Sequence, residues 1–266
     1  MFMKLSGKKV LIGVTGGIAA YKIPILVREL IKEGAQVQVI LTPDAQAFVT
    51  PLTLATVSNN PVHTAFFNKT TGEWDSHIHL ALWADIFLIA PATANTLAKM
   101  AHGLADNLLL AVYLSARCKC VVAPAMDLDM LKHPSTEKNI RTLEKQGVEI
   151  IPSETGFLAS GLIGEGRMPE PETLCKYIIE TLTPPSILSN QSWVVTAGPT
   201  FESIDPVRFI GNHSSGKMGI AIAEALATKG AQVILICGPS SVPHRHQGGI
   251  QRIDITSADE MLEAVE

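Results

Sequence analysis

One stretch near the amino end limits what this chain can fold into. Residues Lys9 to Val14 form an apolar run that reads as a buried strand, and it ends in the paired glycines Gly16 and Gly17. Ile18 to Lys32 then carries apolar residues at helical spacing, Gly34 closes it, and Gln36 to Leu41 is a second apolar run. Strand, short Gly-rich turn, helix and strand make a βαβ unit. Such a unit needs a parallel sheet with a right-handed crossover.

The pattern continues along the chain. Asp85 to Ala90 and Cys118 to Ala123 read as strands, with helical segments between Thr96 and Ser115. Ser135 to Gln146 reads as a helix, Val148 to Ile151 as a short strand and Pro171 to Thr181 as a helix. Ser153 to Arg167 is rich in Gly and Ser and lacks periodicity, so it is expected to be a long functional loop. Pro, Ser and Asn replace the core pattern from Thr183 to Gln191. The expected organisation is a domain over residues 1–185, a linker over 186–191 and a second unit over 192–266. The expected fold class is α/β: a Rossmann-like parallel sheet with helices on both faces, followed by a partial second α/β domain. In that second unit Trp193 to Thr196 and Gln232 to Cys237 read as strands, and Lys217 to Thr228 as a helix. A parallel sheet needs cover on both faces. The second unit is short for that, and is expected to be the opening part of a larger domain.

Composition narrows the function classes. Hydrophobic residues make up 47% and charged residues 17% of the 266, which excludes a disordered chain. The net charge of −4, with no Lys/Arg block, gives no footing for nucleic acid or an anionic membrane. No secretory leader precedes the first strand, and no apolar run approaches the roughly 20 residues of a membrane span. A cytoplasmic protein is expected. Cys118 and Cys120 have no second Cys or His pair at ligand spacing, so all four cysteines are expected to be buried, reduced thiols.

Four segments offer chemistry. Gly13 to Lys22 brings a strand end, two glycines and a helix start together. Free N–H groups there favour an anion such as a phosphate, though the same residues also make an ordinary tight turn. The glycine spacing is neither the dinucleotide fingerprint nor a Walker loop. Pro91 to Thr96 follows a central strand, where open α/β sheets bind ligands. Thr93 or Asn95 there equally suits a helix N-cap. Asp127 and Asp129, in Pro124 to Met130, lack the further oxygen ligands that a metal site needs. His77 is a candidate base, with a capping or surface role as the alternative.

Taken in order, Gly13 to Lys22, His77-Ile78-His79-Leu80, Pro91 to Thr96, Pro124-Ala125-Met126 with Met130, and Gly164 to Met168 resemble the flavin-containing cysteine decarboxylases. The bifunctional members join phosphopantothenoylcysteine decarboxylase to phosphopantothenate–cysteine ligase in coenzyme A biosynthesis. Ala197 to Thr200, Asp205 to Arg208 and Asn212 to Met218 resemble the start of their ligase domain. The resemblance implies bound FMN, held by Gly16, Gly17 and Ile18, by Thr42 and Phe48, and by Pro91, Ala92, Thr93, Ala94, Asn95 and Thr96. It implies His77 as the active-site histidine and a substrate site at Met126, Asp127 and Met130. It further implies a homotrimer, or an assembly of trimers, acting on a small phosphopantothenoyl substrate. In the family mechanism the cysteine side chain is oxidised to a thioaldehyde, carbon dioxide leaves, and the enethiolate is reduced and reprotonated. Asn212 aligns with a residue used in ligase catalysis. CTP and Mg2+ would be required only by a complete ligase domain, and ligase activity is not expected from these residues.

Two positions depart from the family. Asp127 stands where the family has Asn, and Ser160 stands where it has the Cys that donates the final proton. Both changes leave flavin binding intact and bear on turnover. They motivate an alternative, an oligomeric FMN-binding protein with impaired chemistry. A third possibility, a peptidyl-cysteine decarboxylase, is opposed by the ligase-like segment.

Overall fold

In the computed structural model, which describes residues 3–67, 76–183, 188–242 and 249–266, the apolar runs of the first part form one parallel sheet. Strand β1 (Lys9–Val14) leads through a 3-10 turn (Ile18–Lys22) into helix α1 (Ile23–Lys32) and β2 (Gln36–Leu41). The single helix expected over Ile18 to Lys32 is therefore split. Pro24 lies in the first turn of α1, the position where a missing N–H costs nothing. A 3-10 turn (Pro43–Ala47), α2 (Pro51–Ser58), β3 (Val62–His63) and α3 (His77–Trp83) follow. None of these was legible as an element. Apolar residues of α2 lack a helical period, and β3 is two residues long. Next come β4 (Ile86–Ala92), α4 (Ala94–Ala101), α5 (Leu108–Ser115), β5 (Lys119–Pro124), α6 (Leu128–Leu131), α7 (Pro134–Lys145) and β6 (Glu149–Ile150). The expected loop from Ser153 to Arg167 is an antiparallel hairpin, β7 (Glu154–Phe157) and β8 (Ile163–Arg167), ahead of α8 (Pro171–Leu182). Its strands carry glycines rather than alternating apolar residues, which hid them.

The sheet order is β3-β2-β1-β4-β5-β6, all parallel. Alternate residues supply two cores. Val10, Ile12 and Val14 face α1 and α8 through Leu26, Leu30, Leu174 and Ile178. Leu11, Phe87, Ile89 and Val122 face the other way, onto Leu97, Leu109 and Leu143 of α4, α5 and α7. Helices thus cover both faces, which is why these strands read as continuous apolar runs.

The chain divides into two compact units, Met1–Thr183 and Pro184–Glu266. Ser186 and Ile187 of the expected linker lie outside the described residues. The second unit contains β9 (Ser192–Ala197), a hairpin of β10 (Phe201–Ser203) and β11 (Phe209–Gly211), α9 (Lys217–Thr228), β12 (Gln232–Cys237), β13 (Ile250–Asp254) and α10 (Ala258–Val265). Its parallel sheet runs β13-β12-β9 around a small core of Ala197, Ile220, Ala223, Val233, Leu235 and Cys237.

All four cysteines are free thiols, but only Cys175 and Cys237 are buried. Cys118, just before β5, and Cys120, its second residue, are half-buried against the edge of the second core. Among the described residues, no helix is long and apolar enough to cross a membrane.

Candidate active site

The sheet changes direction between β1 and β4: β2 and β3 lie beyond one, β5 and β6 beyond the other. Such a switch point opens a crevice at the carboxyl ends of the strands. Thr15, 1% exposed, closes the floor of that crevice. Its hydroxyl donates to the Pro91 carbonyl at 2.6 Å and accepts from the Thr93 amide at 3.1 Å, stitching β1 to β4. Pro91 and Ala92 complete β4, and Thr93 caps α4 by accepting from the Thr96 amide at 3.4 Å. The segment from Pro91 to Thr96 is therefore a strand end joined to a helix start, not a free loop. Ala94, Asn95 and Thr96 form the first turn of that helix, with Thr96 buried and Asn95 exposed.

Gly16 and Gly17 follow Thr15. A Cβ at Gly16 would lie 2.6 Å from Cβ of Asp44, in the turn after β2, so only glycine permits this approach. Gly17 is extended and caps the turn Ile18–Lys22 without a side-chain hydrogen bond. The first amides of that turn have no intrahelical acceptors. Free amides at a helix start favour an anion such as a phosphate. Thr42 is buried and donates its amide to Val14 at 3.0 Å, while Ile18 and Phe48 remain exposed.

His77 opens α3, where Ser76 provides the cap by accepting from the His79 amide at 3.2 Å. Phe66 meets the His77 ring edge-on at 6.3 Å. The Nδ1 atom of His77 is buried and has no partner among the described residues. An orphaned buried ring nitrogen is uncommon, and it suits a site completed by a ligand.

The segment after β5 is clamped from two sides. Ala125 donates to Ala92 at 3.1 Å, and Met126 donates to Gly166 of β8 at 3.1 Å. Gly166 has φ +132°, and a Cβ there would fall 2.1 Å from the Met126 carbonyl oxygen. The backbone of β8 therefore lies directly on Met126 and Asp127. Asp127 caps α6 by position, but its half-buried carboxylate makes no hydrogen bond or ion pair among the described residues. Met126 packs on the second core, and Met130 is exposed. Ser160 sits at the exposed tip of the hairpin, beside the Leu158-to-Leu162 hydrogen bond of 2.8 Å.

Lys22 was part of a recognised motif, but its role was not legible. It is 3% exposed, and its ammonium donates to the Met168 carbonyl at 2.9 Å and to Glu170 at 3.0 Å. Arg167 meets the same Glu170 oxygen at 2.5 Å. The foot of the hairpin is thus fastened to the glycine turn. A lysine inside an apolar helical run was the available signal. Lys22 first, and Arg167 after it, holds the Glu170 carboxyl below its ordinary range. A depressed carboxylate stabilises the fold above its unfolded value, near 4.3, and loses that contribution as pH falls through the folded value. Solvent reaches Glu170, whose side chain is 41% exposed, and screens the pair. Glu170→Gln is expected to cost about 1 kcal/mol at pH 7. Urea unfolding should show that gap closing below about pH 4. An equal gap at both pH values would rule out the ionic contribution.

Asn212 belongs to the second unit. It is exposed, and its Oδ1 accepts from the Ser214 amide at 3.1 Å. Gly216, at φ +78°, caps α9, and the Ser215 hydroxyl accepts from Lys217 at 3.4 Å.

Comparison with known proteins extends this picture. The Flavoprotein family matches residues 3–183, and the DNA/pantothenate metabolism flavoprotein C-terminal domain matches residues 188–266. A cysteine/cysteine sulfinic acid decarboxylase from an unknown prokaryotic organism is 53% identical over 81% of this chain and 61% of its own length. The coenzyme A biosynthesis bifunctional protein CoaBC of Vibrio parahaemolyticus is 45% identical over 98% of this chain and 65% of its own length. The chain thus spans somewhat under two thirds of these relatives. Among solved structures, a Cys-to-Ser variant of PPC decarboxylase complexed with pantothenoylaminoethenethiol matches with a TM-score of 0.58. It is 33% identical, covering 66% of this chain and 98% of that one. With its sheet, crevice and motifs all carried by residues 3–183, the chain belongs to the flavoprotein family that includes the phosphopantothenoylcysteine decarboxylases.

Proposed function

We propose that this chain is an FMN-dependent lyase that removes carbon dioxide from the carboxyl group of a cysteine. The first substrate reading is 4'-phosphopantothenoylcysteine, converted toward 4'-phosphopantetheine in coenzyme A biosynthesis. The observation that carries the chemistry is the buried Nδ1 of His77, unpartnered among the described residues. Bound FMN supplies a hydride acceptor for oxidation of the cysteine side chain. The glycine turn holds its phosphate, while Thr42, Phe48 and Pro91 to Thr96 line its pocket. His77 takes up the proton released as the cysteine is oxidised. Met126, Asp127 and Met130 meet the substrate, and the hairpin brings Ser160 as the late proton source. The solved relative with Ser in place of Cys is complexed with an enethiol, which supports the same oxidised, decarboxylated product for a chain with Ser160. Exposed Ile18, Tyr21 and Ile25 beside the turn support a homotrimer with the cofactor at its contacts. The reading is of a cytoplasmic enzyme. Ligase chemistry with CTP and Mg2+ at Asn212 is not proposed for these residues.

A second substrate reading is favoured by a specific residue. Asp127 is a carboxylic acid where a substrate carboxylate is expected, and the 53% identical relative is named for cysteine and cysteine sulfinic acid. The reaction is common to the two readings for cysteine. What differs is whether the nitrogen is acylated.

The test is to purify the chain, measure bound FMN, and follow carbon dioxide release from each substrate. A yellow protein that releases carbon dioxide is expected. Yellow protein without release would favour the FMN-binding alternative. A colourless protein that takes up no added FMN would overturn the reading.

A further inference from the structure

We infer that Asp127 turns the preference of this site toward a cysteine whose nitrogen is a free ammonium, over one acylated at nitrogen. The inference rests on the cysteine decarboxylase reading above and names its substrate class.

Asp127 is half-buried and has no cationic or hydrogen-bonding partner among the described residues. Its backbone has little freedom, because Met126 is bonded to Gly166 on one side and Ala125 to Ala92 on the other. Gly166 leaves no room for the segment to lift away, since its backbone touches the Met126 carbonyl. The Asp127 backbone is thus held at the carboxyl edge of β5, next to the end of β4, and its side chain starts from there.

An anion fixed there repels any substrate that brings only a carboxylate. A free amino acid removes the conflict, because its ammonium and carboxylate sit on the same carbon. A side chain that reaches the carboxylate therefore also reaches the ammonium. The ammonium offers three donors and a full positive charge. An N-acylated cysteine offers one neutral N–H, flanked by a bulky acyl group, and leaves both anions facing each other. An Asn side chain reverses the preference, since its amide donates to a carboxylate and carries no charge.

The test uses the full FMN-loaded chain and Asp127→Asn, with FMN content confirming that each folds. Anaerobic flavin bleaching gives the second-order rate constant of the first half-reaction for L-cysteine, N-acetyl-L-cysteine and 4'-phosphopantothenoylcysteine. The unaltered chain should prefer L-cysteine over both acylated compounds by roughly 10- to 100-fold, the range of one charge-assisted hydrogen bond. Asp127→Asn should lose that preference or invert it. S-methyl-L-cysteine and its N-acetyl derivative, titrated against the flavin spectrum, give the same comparison as binding alone. Equal ratios in the two proteins, or a preference of the unaltered chain for acylated cysteine, would overturn the role of Asp127. No bleaching by any thiol, with the binding preference still dependent on Asp127, would instead sink the decarboxylase reading and leave the selectivity standing.

Discussion

Replacing His77 with Asn is expected to slow flavin bleaching by a cysteine substrate by roughly 10²- to 10⁴-fold, with FMN still bound. The proposed cofactor contacts come from the glycine turn, from the turn after β2 and from the junction of β4 with α4, not from α3. Ser76 provides the cap of α3 through its own hydroxyl, so the exchange at His77 leaves the helix start intact. What Asn removes is a group that can take a proton. Hydride loss from a cysteine side chain leaves a proton to be accepted, and a positioned base contributes about that factor. The buried Nδ1, unpartnered among the described residues, marks the ring as placed for something other than packing. Stopped-flow absorbance of the FMN-loaded protein and variant measures the effect. Bleaching within threefold of the unaltered rate would show that His77 is not the base.

The β1-to-β2 unit was legible because a strand buried on both faces has a continuous apolar signature, and Gly16 and Gly17 mark its turn. The parallel sheet followed from the repetition of that pattern. The hairpin over β7 and β8 was not legible. Its residues need to be small where they lie on Met126 and Leu128, as Gly164 and Gly166 are, so they carry no alternation. The site was legible only as separate segments. Thr15 bridging Pro91 and Thr93, and Lys22 bridging Met168 and Glu170, join residues 76 to 148 positions apart. No local pattern reports such contacts. Periodicity also missed the division of Pro91 to Thr96 between a strand and a helix. A threonine after a strand serves a loop and a cap equally well.

The first half-reaction needs the cofactor and a base, and carbon dioxide is lost from the oxidised substrate itself. Neither step calls on the hairpin tip. The enethiolate must then be reduced and protonated, and at that point this chain offers the hydroxyl of Ser160. A thiol, with a pKa near 8.5, is a far stronger acid, and each unit of acidity is worth up to about 1.4 kcal/mol. The unaltered chain should therefore release carbon dioxide, accumulate enethiol and leave its flavin reduced. Ser160→Cys should raise the yield of fully reduced thiol on the order of 10²-fold, the low end for a positioned acid. Ser160 is exposed at the tip between Leu158 and Leu162, so the exchange fits without repacking. Its stability cost should be negligible, as for most surface exchanges. Mass analysis of the products, with flavin absorbance followed in parallel, separates the two half-reactions. Rapid formation of the reduced thiol by the unaltered chain, unchanged in Ser160→Cys, would show that the proton reaches the product by another route.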